Sequence, residues 1–163
     1  MNYRITGTGS CIPDITKKNS DFLQNKFLDR DGIDIQSSNS EIIEKFKSIT
    51  GIYQRRYASD EINSSDLATV AAKGAIVNSK IDQEKLDYII VAHNAGDISY
   101  NSGQVDTLPS IASKVKAKLK IKNPNCVAYD IICGCPGWLE GIIQAKSFIK
   151  SGMANKCLII GCD

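Results

Sequence analysis

The sequence predicts an α/β protein with a mainly parallel sheet. Three short apolar runs, YIIVA at 88–92, CVAYDI at 126–131 and KCLIIGC at 156–162, have the composition of strands covered on both faces. Segments with helical periodicity lie between these runs. Strands that alternate with helices along a chain generally pair in parallel, with the helices on the faces of the sheet.

The first sixty residues carry weaker signals. Residues 3–12 are predicted to form a strand and then a turn, since apolar residues are followed there by glycine and serine. Residues 14–40 are polar and rich in turn formers. Ser40 is predicted to cap a helix at 41–49 that has one apolar face.

Helices are predicted on either side of YIIVA. Asn63 and Asp66 have the spacing of a capping box at the start of a helix over 64–79. The face of this helix that packs on the sheet is predicted to comprise Leu67, Val70, Ala71, Gly74 and Val77. Residues 110–122 alternate lysines with apolar residues, as a strand does, but also show an i, i+4, i+8 apolar pattern after Pro109. We interpret this segment as a helix.

A further helix follows the strand at 126–131. Gly134 ends the strand, and Pro136 suits the first helical position because its missing N–H costs nothing there. From Trp138 the sequence WLEGIIQAKSFIK continues as helix. At about 100° per residue its apolar side chains cover an arc of roughly 220°, which is wider than one sheet can cover. We therefore predict that this helix is covered on two sides.

Cys135 is the candidate nucleophile because it lies between this strand and this helix. Unpaired N–H groups and the positive end of the helix dipole stabilise an anion at such a turn, so a thiolate is favoured. The backbone N–H of Cys135 is a candidate donor to the oxyanion that forms when a thioester is attacked. Most cysteines in proteins are buried and inert, so an unreactive core thiol is the alternative.

The stretch YDIICGCPGW at 129–138 resembles the nucleophile region of β-ketoacyl-acyl-carrier-protein synthase III, a thiolase-fold condensing enzyme. In that family an aromatic–Asp pair ends the strand, the cysteine follows five residues after the Asp, and a small residue, a glycine and an aromatic come next. The matching residues are Tyr129, Asp130, Cys135, Pro136, Gly137 and Trp138. Further resemblance runs in the family's order through YRITGTGSCIP, GIYQRRYAS, LDYIIVAH, LPSIASKVKAKLKIKNP and IKSGMANKCLIIGCD.

The resemblance implies that residues 1–163 form one half of the αβαβα layered thiolase-like fold, with a mainly parallel mixed sheet and helices on both faces. The family is about twice as long, and its catalytic His and Asn lie in the second half, so this half-domain is expected to be truncated and inactive alone. In the parent enzyme, Cys135 would take an acyl group from a thioester. Decarboxylative Claisen condensation with a malonyl thioester would follow, in fatty acid or polyketide-type biosynthesis.

The resemblance also implies partners. Acyl-coenzyme A and acyl-carrier protein are the expected thioester donors, and no cofactor or metal is expected. Leu108 matches a position that reaches into the partner subunit's acyl pocket, although an apolar loop residue covering the core fits it equally. Trp138 is expected near that pocket or a dimer contact. Arg55 and Arg56 are candidate contacts for carrier protein or phosphate, with a solvated pair as the alternative.

Three positions differ from the family pattern or lie outside it. The aromatic residue that stacks on the adenine of coenzyme A would fall at Lys45, and an arginine that holds coenzyme A would fall at Ile49, so donor binding is expected to differ. His93, which follows YIIVA, does not match a catalytic position and is interpreted as structural or pocket-lining.

Two alternatives to condensation remain: a cysteine acyltransferase or thioester hydrolase of the same superfamily, and a non-catalytic interaction domain.

Composition excludes several classes of function. The net charge of +2 predicts no strong attraction to nucleic acid or membranes. No apolar run approaches the ~20 residues that span a bilayer, and no signal peptide is recognisable, so a cytoplasmic protein is expected. The six cysteines include no C-x-x-C pair, and His93 is the single histidine, which argues against a zinc site. The wide apolar helix predicts a homodimer or higher oligomer.

Overall fold

The computed structural model describes residues 3–162, which divide into two compact units. The smaller unit comprises residues 13–59. The larger unit combines residues 3–12 with residues 60–162, and it contains the strand and helix on either side of Cys135.

The smaller unit contains an antiparallel strand pair and a helix. β1 (Ile15–Lys18) is followed by a 3-10 turn at Asn19–Phe22, then by α1 (Asn39–Thr50), and it pairs with β2 (Gln54–Tyr57). The helix predicted at 41–49 is thus confirmed, but it begins two residues earlier than expected.

The predicted cap of α1 at Ser40 is wrong, and Ser38 is the N-cap. The Glu41 N–H donates to Ser38 Oγ at 3.3 Å, and the Glu41 carboxylate accepts from the Ser38 N–H at 2.9 Å. This capping box forms at Ser38 because a glutamate stands three residues further on. At the same spacing Ser40 has an isoleucine, Ile43, which cannot accept a hydrogen bond.

The larger unit alternates helices and strands. In chain order its elements are α2 (Ser64–Ser79), a 3-10 turn at Gln83–Lys85, β3 (Tyr88–His93), β4 (Asp97–Ile98), β5 (Val105–Asp106), α3 (Ile111–Lys118), β6 (Val127–Ile132), α4 (Gly137–Ser151) and β7 (Cys157–Gly161). β3 is central and pairs in parallel with both β6 and β7, and β4 pairs with β5 in antiparallel. The predicted α/β class and the helical interpretation of residues 110–122 are confirmed, although α3 is shorter than that range.

β3 is almost completely buried because helices cover both faces of the sheet. Ile89, Ile90 and Val91 have 0% of their surface exposed. Ile89 and Val91 join a core cluster with residues of α2 and α3. On the other face, Ile90 lies under Gly141 of α4. This two-sided burial explains why YIIVA reads as an uninterrupted apolar run.

The strand predicted within residues 3–12 does not form. This segment instead lies against α2, and its backbone comes very close to the helix at two glycines. A Cβ added to Gly9 would lie 2.3 Å from the Ala71 carbonyl oxygen, and one added to Gly7 would lie 2.6 Å from the Ser79 nitrogen. Contact with a helix, rather than pairing with another described strand, holds the segment in place.

The predicted core face of α2 is also wrong in part. Val70 and Val77 are exposed, and the buried apolar residues are Ala68 and Ala72. Small residues occur all around this helix, because it packs on the rest of the core on one side and on residues 3–12 on another. Its periodicity therefore does not single out one face.

Among residues 3–162, no helix combines the length and apolarity that crossing a membrane requires.

Candidate functional site

Cys135 lies in the turn that joins the end of β6 to the start of α4. The Gly137 N–H donates to the Gly134 carbonyl oxygen at 3.0 Å, so Cys135 and Pro136 are the central residues of a hydrogen-bonded turn. Gly134 has a φ of +32°, which residues with side chains rarely adopt. Pro136 occupies the N-cap position rather than the predicted first helical position, which is Gly137.

The amino end of α4 points unpaired N–H groups at this turn. Within residues 3–162, the Cys135 N–H donates to no protein acceptor, so it is available to a ligand oxygen. The thiol of Cys135 is exposed, which contradicts the alternative that Cys135 is a core thiol. An exposed thiol in the turn before a helix is accessible to a substrate, which a nucleophilic cysteine requires.

Close packing on the sheet fixes the position of the α4 amino end. The sheet-facing residues of α4 are small and buried: Gly137, Gly141 and Ala145. A Cβ on Gly137 would lie 3.0 Å from the Ala92 Cβ, and one on Gly141 would lie 2.8 Å from the Ile159 Cγ2. Larger side chains at these glycines would displace the helix start and with it the turn that carries Cys135.

Around the rest of its circumference α4 carries large apolar residues that are half exposed. Trp138, Leu139 and Ile143 are 48%, 54% and 46% exposed. Trp138 lies over Gly161 of β7, where an added Cβ would be 3.2 Å from the Trp138 Cβ. The apolar arc of α4 is thus wider than the sheet of this unit covers. That a second layer covers it remains a prediction.

Asp130 of β6 ties three elements together near the turn. Its carboxylate accepts hydrogen bonds from the Ile111 and Ala112 N–H groups at 2.7 and 2.8 Å, and from His93 Nε2 at 2.9 Å. The first N–H groups of a helix have no partner within the helix, so a carboxylate there satisfies them and is favoured by the helix dipole. Asp130 therefore fixes the amino end of α3 against β6 and β3. The sequence motif includes Asp130 but does not indicate this role.

His93 is buried, with 3% of its surface exposed, and both ring nitrogens are occupied. Nδ1 accepts from the Gly96 N–H at 2.9 Å. Nε2 therefore carries the proton that is donated to Asp130. A general base needs a free nitrogen within reach of its substrate. This geometry supports the structural interpretation of His93.

A second buried network lies at the amino end of α2. Asp97 accepts from the Ser65 N–H at 2.8 Å and from Lys114 Nζ at 3.0 Å. Burial alone would raise the pKa of Asp97, but the bonds from Ser65 and Lys114 outweigh it, and the pKa is lowered. Lys114 also pairs with the more exposed Asp106, at 2.7 Å.

The other predicted contact residues belong to different units of the chain. Leu108, in the loop before α3, is 83% exposed. Arg55 and Arg56 are on β2 of the smaller unit. Arg55 Nη1 donates to Asn19 Oδ1 at 3.2 Å, and Arg56 Nη1 donates to the Pro13 carbonyl oxygen at 3.4 Å. Within the part of the chain that the structure describes, no three His, Cys, Asp or Glu residues cluster as metal ligands would.

The cysteines differ in their access to solvent. Cys133 and Cys135 are exposed, whereas Cys11, Cys126, Cys157 and Cys162 are buried or partly buried. Burial raises the pKa of the Cys126 thiol, and it raises that of Cys157 to about 11. Thiols of this kind react slowly because the thiolate is the nucleophile.

Limited alkylation near neutral pH should therefore modify Cys135 before it modifies Cys11, Cys126, Cys157 or Cys162. The extent of labelling at each cysteine is measured by mass spectrometry of peptides after a short exposure to reagent. The same reaction in denaturant is the control, because unfolding should remove the differences. Labelling of Cys126 or Cys157 as fast as Cys135 in folded protein would contradict this expectation.

Comparisons with known proteins place this site in context. No family model matches the chain. A relative named Beta-ketoacyl-[acyl-carrier-protein] synthase III 1, from Vibrio parahaemolyticus, is 35% identical over 163 residues, which is all of this chain but 44% of the relative. The crystal structure of 3-oxoacyl-[acyl-carrier-protein] synthase III from Aquifex aeolicus superposes with a TM-score of 0.76 at 32% identity, covering 98% of this chain and 44% of that one.

A second solved structure gives the same result. Beta-ketoacyl-[acyl-carrier-protein] synthase III of Thermus thermophilus superposes with a TM-score of 0.75 at 29% identity, covering 98% of this chain and 42% of that one. The chain thus spans less than half the length of the relatives it matches. The fold is that of one half of a thiolase-like enzyme.

Proposed function

Because the chain is related over its whole length to the amino-terminal part of β-ketoacyl-acyl-carrier-protein synthase III enzymes, we propose that it carries the nucleophile of a condensing enzyme of that type. Cys135 is the nucleophile. The observation that carries this proposal is the exposed Cys135 thiol in the turn at the amino end of α4. A cysteine acyltransferase or thioester hydrolase of the same superfamily, the first alternative, shares the first chemical step. A non-catalytic interaction domain, the second alternative, does not carry out that step.

In that step the Cys135 thiolate attacks the carbonyl carbon of an acyl thioester. The tetrahedral intermediate carries a negative oxygen, to which the Cys135 N–H is proposed to donate. Collapse of the intermediate expels the donor thiolate and leaves the acyl group on Cys135 Sγ.

Condensation requires a second set of groups. A malonyl thioester forms an enolate when it loses carbon dioxide, and a hydrogen-bond donor must stabilise that enolate. In the resembled family a His and an Asn from the second half of the enzyme supply this donor. His93 does not replace them, since both of its nitrogens are bonded. The 163-residue chain is therefore proposed to be one half-domain, to accept an acyl group and not to turn over malonyl thioester.

The proposed substrates and partners are those that the resemblance to synthase III enzymes implies. Acyl-coenzyme A and acyl-carrier protein are the proposed donors, in fatty acid or polyketide-type biosynthesis in the cytoplasm. Leu108 and Trp138 are proposed to line the acyl pocket or a subunit contact, which their exposure allows. Arg55 and Arg56 are proposed contacts for the carrier protein. A homodimer or higher oligomer would cover the apolar side of α4.

The test is self-acylation. The folded chain is incubated with an acyl-coenzyme A, and the acyl adduct is located by mass spectrometry. We expect the adduct on Cys135 in the wild type and in Cys133→Ser, and its loss in Cys135→Ser. An equal adduct in Cys135→Ser, or steady release of product from malonyl thioester by the chain alone, would contradict the proposed roles.

A further inference from the structure

The turn before α4 carries two thiols rather than one. Cys133 and Cys135 flank Gly134, and both side chains are exposed. The acyl transfer proposed above uses Cys135 alone and leaves Cys133 without a role. We propose that this pair is a redox site, in which a hydroperoxide oxidises Cys135 and Cys133 then closes a reversible disulfide with it.

The spacing of the two residues along the backbone is compatible with a disulfide. Successive Cα atoms are about 3.8 Å apart, so residues i and i+2 lie at most about 7.5 Å apart and closer where the chain turns. Disulfides join Cα atoms about 4.4–6.8 Å apart. The residue between the cysteines is a glycine at positive φ, and the turn that follows is closed by the Gly137 N–H bond to the Gly134 carbonyl oxygen.

Both thiols also share the start of α4. The Cys133 Cβ lies 3.5 Å from the position of a Cβ added to Gly137, the first residue of the helix. Cys135 directly precedes Pro136, the N-cap. Both residues therefore lie at the positive end of the α4 dipole. The buried Cys126 and partly buried Cys157 compete poorly for oxidant, since burial favours their neutral thiols.

The chemistry balances with the hydroperoxide as the two-electron oxidant. The Cys135 thiolate attacks the O–O bond, which breaks, so that Cys135 becomes a sulfenic acid and the leaving oxygen takes a proton to form water or an alcohol. The Cys133 thiolate then attacks the Cys135 sulfur, an S–S bond forms, and hydroxide leaves as water after protonation. A dithiol reductant restores both thiols by exchange. The disulfide blocks Cys135 and prevents its further, irreversible oxidation.

The proteolytic pattern of the chain makes the test direct. The full folded chain is treated with hydrogen peroxide, free thiols are blocked by alkylation, and the chain is cut with chymotrypsin after Tyr129 and Trp138. The resulting fragment 130–138, DIICGCPGW, contains Cys133 and Cys135 and no other cysteine. In the wild type we expect this fragment to lose two hydrogens, to take up no alkylating reagent, and to regain both thiols with dithiothreitol.

Variants separate the two thiols. In Cys133→Ser, the fragment should gain two oxygens as a sulfinic acid several-fold faster than in the wild type, because no resolving thiol is present. Cys11→Ser, at a partly buried thiol, is the matched control and should behave as the wild type. Equal rates of over-oxidation in the wild type and Cys133→Ser, or a disulfide from Cys135 to another cysteine, would overturn the proposal. Acylation of Cys133→Ser tests the proposed function separately, since it needs no Cys133.

Discussion

Asp130→Ala should lower the free energy of unfolding of the larger unit by about 3 kcal/mol. The Asp130 carboxylate, which is 11% exposed, accepts hydrogen bonds from Ile111, Ala112 and His93. Its removal leaves the His93 Nε2–H buried without an acceptor and leaves the Ile111 and Ala112 N–H groups without theirs, although Ser110 still caps α3. Denaturant unfolding followed by circular dichroism at pH 7 measures the change.

Two controls identify the cause of that loss. Asp130→Asn keeps one acceptor oxygen and should lose less stability than Asp130→Ala. Asp60→Ala, at an exposed aspartate, should stay within about 0.5 kcal/mol of the wild type. If Asp130→Ala unfolded at the same denaturant concentration as Asp60→Ala, the carboxylate would not hold α3 on the sheet.

Asp97→Asn should lower the free energy of unfolding by about 1–3 kcal/mol at pH 7. The substitution removes the negative charge that pairs with Lys114, and it replaces the charged acceptor of the Ser65 N–H with a neutral one. The pKa of Asp97 is lowered from its ordinary value of 3.8 in the folded protein. Its contribution is therefore fully present above about that value and is lost as the pH falls through the lower folded-state value.

The difference in free energy of unfolding between the wild type and Asp97→Asn should consequently be constant between about pH 5 and 7. It should shrink as the pH falls toward about 3. Unfolding curves at a series of pH values measure it. Asp106→Asn is the matched control, since Asp106 pairs with the same lysine but is 56% exposed, and a smaller loss is expected. A difference that persists undiminished at pH 3 would show that charge on Asp97 is not the cause.

The sequence predicts the sheet and the turn at Cys135 well because their signals are local. YIIVA is an apolar run because both faces of β3 are buried. Such a run can be recognised as a buried strand without information about the rest of the chain. The turn at Cys135 is predictable because Gly134 and Pro136 act on their own backbone dihedrals.

What the sequence does not predict depends on contacts between distant residues. The bonds from Asp130 to α3 depend on where the amino end of that helix lies relative to β6, which no local pattern encodes. Similarly, the predicted core face of α2 is wrong in part because residues 3–12 pack on a second side of that helix. Its small residues face two neighbours, and periodicity cannot assign each residue to one of them.

The position of β3 in the sheet has a consequence for the newly made chain. β3 is synthesised before both of its neighbours, since Tyr88 pairs with Val127 and with Cys157. Until β6 and β7 emerge from the ribosome, its most apolar segment therefore has no strand to bind. Parallel pairing over such separations closes long loops and is slow. The nascent chain thus exposes an unpaired apolar strand for part of its synthesis. During that period the strand can aggregate unless a chaperone binds it.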